Sequence, residues 1–257
     1  MKILAIGDIT SPGGALHLEK NLWGVRKKFG IDFTVVNGEN ASFIMGVASE
    51  TAEKLLRSGA DVITGGNHTI QNFNAHKMLD EKSEVLRPAN YPEGTIGKGF
   101  TVCDIGSARV LVVNVLGCVH MEPVLDSPFF AVERALRENA GKYDFAVLDI
   151  HAEATGEKLA LGHCFDGKIN VIFGTHTHVP TADGKILPKG TGYISDLGMC
   201  GESGGILGID PSGVIHKMKN KMPGKFKCAE GDVVADGVIF TLDDSTKRVV
   251  EIKRIRF

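Results

Sequence analysis

The chain has 257 residues, of which 43% are hydrophobic and 23% charged, and a formal net charge of −2. That length suits one α/β domain or two small ones. The near-neutral charge gives no electrostatic case for bulk nucleic acid or an anionic membrane as partner, while leaving a small nucleotide open.

No apolar run approaches a membrane span. The opening Met1–Asp8 turns acidic too soon for a signal peptide. The five Cys, at 103, 118, 164, 200 and 228, have neither knuckle nor redox spacing. The expectation is a cytoplasmic protein with reduced cysteines.

Lys2–Ile6 reads as a buried strand ending in Gly7-Asp8, ahead of the turn-rich Ile9–Gly14. Residues 15–29 place Leu18, Leu22, Val25 and Phe29 on one helical face. Phe33–Val36 is a second strand, running into Asn37-Gly38-Glu39-Asn40. A helix is predicted over 48–58, then a short strand, Asp61–Thr64, ending in Gly65-Gly66-Asn67-His68. Strand, polar tip and helix recur in that order, which is the α/β signature. A helix over 71–81, a loop through Arg87–Pro92 and a hairpin of 99–105 with 108–115 come next. Ser127-Pro128 has the form of an N-cap followed by proline at the first helical position.

Phe145–Ile150 is a buried-type strand that delivers His151. A helix over 153–161 leads to the strand Lys168–Phe173, with Gly174-Thr175-His176-Thr177-His178 at its end. After Pro180 the pattern is all-β, over 181–187, 191–195, 206–209, 214–216, 237–242 and 247–255. Lys217, Lys219, Lys221, Lys225 and Lys227 form a local basic run. It reads as a solvated connection or twisted strand, with a phosphate-attracting lid as the alternative.

His176 and His178 point the same way if their backbone stays extended. Two converging imidazoles suit zinc, iron or manganese, but a His-x-His pair is weak evidence alone. Its company matters more. Asp8, Glu39 with Asn40, Asn67 with His68, His151, and His176 with His178 all stand at strand tips. The carboxyl ends of parallel strands lie at one edge of a sheet, so residues from Asp8 to His178 can converge there. Two carboxylates, two amides and several imidazoles can hold two divalent cations, with one carboxylate bridging. The surplus positive charge would attract and polarise a phosphate oxygen, as in metal-assisted phosphoester hydrolysis. The other histidines, His17, His76, His120, His163 and His216, read as surface or core. Of these, His120 could line the cleft.

Asp8, Gly38-Glu39-Asn40, Gly66-Asn67-His68, His151 and Gly174–His178 resemble the calcineurin-like metallophosphoesterases. Their usual blocks are Asp-x-His, Gly-Asp-x-x-Asp, Gly-Asn-His-Asp/Glu, a lone His and Gly-His-x-His. The chain departs from them at Thr10, Glu39 and Thr69, where the family has His, the bridging Asp and an acidic residue. These departures, with Asn37–Ala41 and Tyr193–Met199, are similar to the YmdB-like subfamily. That subfamily is associated with hydrolysis of 2′,3′-cyclic and 3′,5′-cyclic nucleotides.

The expected fold is α/β, a four-layer α/β/β/α sandwich of two mixed sheets flanked by helices, in one domain over 1–257. The first half is expected to build most of one sheet and the late strands the other. The resemblance implies that Asp8, Glu39, Asn40 and His178 hold one metal and that Glu39, Asn67, His151 and His176 hold the second. Glu39 bridges, and Asn40 fills the place of the missing first-block His. Iron or manganese tolerates such an oxygen-rich site better than zinc, which remains possible. His68 stays unligated and protonates the leaving alkoxide after attack by a metal-bridging hydroxide. The implied partner is a small phosphodiester, with no bulk nucleic acid and no membrane; the oligomeric state is open. A phosphomonoesterase is the alternative enzyme, disfavoured because no Arg stands beside a motif. A metal-bound regulator is the alternative outside catalysis.

Overall fold

The computed structural model describes residues 1–42 and 45–257. Its elements in chain order begin β1 (Lys2–Ile6), β2 (Asp8–Ile9), α1 (Pro12–Phe29), β3 (Phe33–Asn37), α2 (Ser49–Arg57) and β4 (Val62–Thr64). A 3-10 turn at Phe73–Ala75 leads into α3 (His76–Glu81), then β5 (Phe100–Asp104), β6 (Arg109–Leu116), α4 (Pro128–Glu138), β7 (Phe145–His151), α5 (Thr155–Cys164) and β8 (Val171–Thr175). The chain closes with β9 (Lys185–Ile186), β10 (Gly192–Ile194), β11 (Met199–Glu202), α6 (Pro211–Asn220), β12 (Val233–Leu242) and β13 (Val249–Arg256).

Strand alternation sets the layers. Ile3 and Ala5 of β1 face the opposite sheet, where they meet a core that includes Phe33, Val35, Phe145, Val147, Phe173 and Phe240. Leu4 and Ile6 face the other way, onto Leu18, Leu22 and Val25 of α1 and Leu55 of α2. On the far side Leu111, Val113, Leu148 and Ile172 pack under Val132 and Ala135 of α4 and Leu161 of α5. Three apolar layers therefore separate four structural ones, the α/β/β/α arrangement. Each fully buried aromatic or aliphatic side chain contributes roughly 1.5–3 kcal/mol relative to exposure.

One sheet has the order β2-β11-β12-β1-β3-β4, with β13 also paired to β12; the other runs β5-β6-β7-β8-β10-β9. The expected division between the halves is thus corrected. The late strands β11, β12 and β13 join the first sheet, β12 lying antiparallel to β1, and the middle of the chain builds the second. The parallel neighbours are β1, β3 and β4 in one sheet and β6, β7, β8 and β10 in the other. Both sets send their carboxyl ends toward the site.

The region after Pro180 is also corrected, because a helix returns. Residues 214–216 lie in α6, where Asp210 caps the first turn by accepting from Ser212 N at 2.9 Å and Pro211 occupies the first position. Only Gly213 and Val214 of that helix are buried, and its apolar positions Val214, Ile215 and Met218 span little more than one turn, too short a run for helical periodicity to stand out. Lys217 and Lys219 sit in its last turn, where cations favour the helix dipole. The predicted strand over 206–209 reduces to isolated bridges, and 181–187 to the two residues of β9. Ser127 makes no side-chain cap bond, although Pro128 does open α4.

Candidate metal centre

Each candidate ligand stands where a strand stops. Asp8 follows β1, Glu39 and Asn40 follow β3, and Asn67 and His68 follow β4; His151 ends β7, and His176 and His178 follow β8. The first three tips belong to one sheet and the last two to the other. The site therefore spans the sandwich, rather than sitting on a single sheet edge.

Two glycines in these tips are dictated by close approach. A Cβ on Gly66 would strike the His151 imidazole, and one on Gly174 would strike the Ser195 carbonyl and the Lys158 side chain. Glycine is the residue that lets backbone pass so near a neighbour.

The donors converge in two groups. His151 Nε2 lies 3.2 Å from Asn67 Oδ1, 3.2 Å from His176 Nδ1 and 3.8 Å from Glu39 Oε1. Asp8 Oδ1 lies 3.7 Å from both His178 Nε2 and His151 Nδ1. It is buried and, among the described residues, has no hydrogen-bond partner. Asp8 Oδ2 accepts the His176 backbone N–H at 2.9 Å. Glu39 Oε1 accepts the His68 backbone N–H, and Oε2 accepts from Thr69 Oγ1 at 3.2 Å. Thr69, which stands where the family has an acid, thus shares its hydroxyl between the Glu39 carboxylate and the Gly66 carbonyl, 2.9 Å away. Asn40 Oδ1 lies 3.1 Å from His68 Nδ1. Thr10, in place of the first-block His, donates to the Cys200 carbonyl at 3.3 Å. His120 is exposed and does not line the cleft.

The charges are strained. Burial raises the Asp8 carboxyl, but the His178 imidazole, with His151 and the His176 N–H, outweighs it and holds Asp8 below the usual carboxylate range. Burial pushes Glu39 well above that range, and the nearby Asp8 charge adds to the rise. Burial drives His151 well below the usual imidazole range and lowers His176. Burial also lowers His68, with His176 as the next cause. Burial favours neutral His178 as well, yet Asp8 raises it overall. At 3.7 Å that influence is charge rather than a hydrogen bond.

Two buried carboxylates among mostly neutral imidazoles make a site short of positive charge. The donor set fits divalent cations: an orphaned carboxylate oxygen, amide oxygens and imidazole nitrogens facing one another. Among the described residues, no three His, Cys, Asp or Glu side chains close a metal cluster by themselves; the amides of Asn40 and Asn67 would have to complete both groups.

A polar network behind these ligands is not evident in the sequence. Buried Asp149 of β7 accepts from Thr175 Oγ1 at 2.8 Å, Asn37 Nδ2 at 2.9 Å and Thr64 Oγ1 at 2.5 Å. Burial pushes its carboxyl up to about 7 against these three donors. Thr175 spends its only hydroxyl hydrogen on Asp149, so at 3.0 Å it accepts from His151 Nδ1. That places the His151 proton on Nδ1 and turns a lone pair on Nε2 toward Asn67 and His176. On the other side of Asp149, Asn37 Oδ1 accepts the Glu39 N–H at 3.0 Å. One carboxylate thereby orients a ligand on each sheet, the arrangement that supporting groups make behind metal ligands.

The Gly174–His178 turn is not extended. His176 has φ 99° and His178 φ 63°, a region that non-glycine residues seldom adopt. Left-handed turns, rather than strand alternation, bring the two imidazoles in. The strain is held by Asp196, which accepts from the Thr177 backbone N–H at 3.1 Å and its hydroxyl at 2.8 Å. Asp196 is itself paired to buried Lys158 at 2.9 Å, and Lys158 also donates to the Thr175 carbonyl at 2.8 Å. Asp196 lies in the Tyr193–Met199 stretch already singled out; Lys158, within a helix, gave no signal.

Comparisons with known proteins point to one family. The YmdB-like protein family matches residues 4–255. A Bacillus subtilis (strain 168) relative named 2′,3′-cyclic-nucleotide 2′-phosphodiesterase is 42% identical over 99% of this chain and 96% of its own. A crystal structure of a hypothetical protein from Thermus thermophilus is 35% identical, with TM-score 0.92, over 100% of this chain and 99% of that one. A crystal structure described as a novel phosphatase from Mycoplasma pneumoniae is 32% identical, with TM-score 0.91, over 100% of this chain and 93% of that one. The fold, the ordered ligand blocks and these matches together place the chain in the YmdB-like family of metallophosphoesterases.

Proposed function

We propose that the chain is a metal-dependent phosphodiesterase acting on small cyclic nucleotides, 2′,3′-cyclic, 3′,5′-cyclic or both. The observation that carries the reading is the convergence of strand tips from both sheets on one donor set, with His68 beside it. The naming of the Bacillus subtilis relative points to the same substrate class.

Asp8, Glu39, Asn40 and His178 would hold one divalent ion and Glu39, Asn67, His151 and His176 the second, iron or manganese before zinc. Such ions supply Lewis acidity when bound, activating water and neutralising charge on phosphoryl oxygens. The chain's own residues do the rest. Asp149 and Thr175 hold His151 in one tautomer. Glu39 positions the His68 backbone, and Asn40 Oδ1 (3.1 Å) and Glu39 Oε1 (3.3 Å) accept from His68 Nδ1–H, keeping one ring proton there. A second proton on Nε2 is then available to the leaving alkoxide, since His68 lines the cleft.

The cleft has neither Arg nor Lys among its described lining residues. Arg87 is turned to the carbonyls of Pro88, Thr95 and Ile96. A monoester dianion has no cationic side chain to meet it, which ranks the diester first. The test is a panel of 2′,3′-cyclic and 3′,5′-cyclic nucleotides beside a nucleoside monophosphate, with manganese-loaded protein. Higher kcat/KM on a cyclic diester supports the reading. Higher kcat/KM on the monoester reverses it.

A further inference from the structure

The cleft lined by Asn40, Asn67, His68, His176 and His178 is small, about 210 Å³. Pockets that enclose a small-molecule ligand usually run to about 300–1,000 Å³. The cleft therefore suits a phosphodiester and not a whole nucleotide. Opposite its polar floor is an apolar wall of Leu207, Ile209 and Phe226. The same three residues line a second hollow of about 700 Å³, completed by α6 and the turn after it. The two hollows thus adjoin at these three residues.

The second hollow has the chemistry of a flat, sequence-tolerant base platform. Met218 and Met222 line it while 67% and 59% exposed, a soft surface that adapts to its occupant. Phe226 supplies an aromatic ring, with Lys217 Nζ 5.2 Å from its centroid. Lys217 and Lys221 also line the hollow, their charged ends beside its apolar floor. No carboxylate or amide side chain is among its described lining residues, so the edges of a base would go largely unread. Stacking on aromatic and apolar faces with lysines nearby is how proteins take nucleobases without choosing among them.

We propose that this hollow is the nucleoside subsite: the base lies against Phe226, Leu207 and Met218 while the phosphodiester sits in the adjoining cleft. The proposal rests on the phosphodiesterase reading and adds the part of the substrate that the ligand set does not touch. It makes the enzyme selective for nucleosides over other cyclic phosphates, but tolerant of base identity.

The test compares kcat/KM for 2′,3′-cyclic AMP, 2′,3′-cyclic UMP and glycerol 1,2-cyclic phosphate, which keeps the five-membered phosphodiester and lacks the base. The expected result is roughly tenfold or greater preference for either nucleotide over the glycerol ester, with the two nucleotides close together. In Met218→Ser/Met222→Ser, and separately in Phe226→Ala, that preference should shrink toward one, mainly through KM. Equal kcat/KM on nucleotide and glycerol esters in the unmodified enzyme overturns the subsite and leaves the phosphodiesterase reading standing. Absence of turnover on all three, and on 3′,5′-cyclic AMP run beside them, sinks the reading itself. If the methionine variant loses a concentration-dependent dimer while the preference is unmoved, the hollow belongs to a second copy and the proposal is wrong.

Discussion

Replacing Thr175 by valine tests the claim that a buried relay tunes the ligands. Valine keeps the shape and removes the hydroxyl. Two buried groups then lose their partner: Asp149 Oδ1, which takes the Thr175 proton at 2.8 Å, and His151 Nδ1, 3.0 Å from the same oxygen. An unsatisfied buried polar group costs about 1–3 kcal/mol, so the pair costs about 2–6 kcal/mol, a large share of the roughly 5–15 kcal/mol that holds a typical domain folded. Loss of a group supporting a metal ligand typically weakens binding about 10–100-fold. Urea denaturation of metal-free protein reads the first quantity, and calorimetric titration with manganese reads the second. Thr175→Ser restores the hydroxyl and should recover most of both. If Thr175→Val keeps the unmodified denaturation midpoint and both manganese affinities, the relay does not orient His151.

Two further substitutions probe the site from other directions. Gly66→Ala pushes a methyl group into the His151 ring, so metal analysis should find about one equivalent lost; retention of both equivalents would contradict the close-approach account. His68→Ala should keep both metals and lower kcat by about 10²–10⁴-fold on a cyclic nucleotide. The loss should be much smaller on a p-nitrophenyl diester, whose leaving group needs no proton. An equal loss on both substrates would remove the general-acid role.

The residues that were legible in the sequence are those that end strands. Asp8, Glu39, Asn67, His151 and Gly174–His178 each interrupt an apolar run with a polar group or glycine, and a polar tip is visible without a partner. The α/β class was legible for the same reason, since apolar strands alternated with amphipathic helices; the four-layer sandwich followed from the family resemblance. Asp149 and Thr175 lie within otherwise apolar strands, and Lys158 lies on a helix. Their meaning comes only when β3, β4, β7 and β8 are brought face to face, which no local pattern encodes. The helix α6 escaped because its apolar positions Val214, Ile215 and Met218 span little more than one turn; its one capping cue was Asp210-Pro211. The very short β2 and β11 pair with each other and owe their existence to that pairing rather than to propensity. The two His of Gly174–His178 both line the cleft, but their backbone is left-handed rather than extended, held by Asp196 from outside the turn.

The central claim is that two divalent ions, shared across Glu39, carry cyclic nucleotide hydrolysis. The direct measurement is turnover of 2′,3′-cyclic AMP by metal-stripped protein as manganese is added in known equivalents. The account predicts no turnover in chelator and a rise that levels off at about two equivalents, with Glu39→Gln abolishing it. Turnover that persists in chelator, or that levels off at one equivalent, would contradict it.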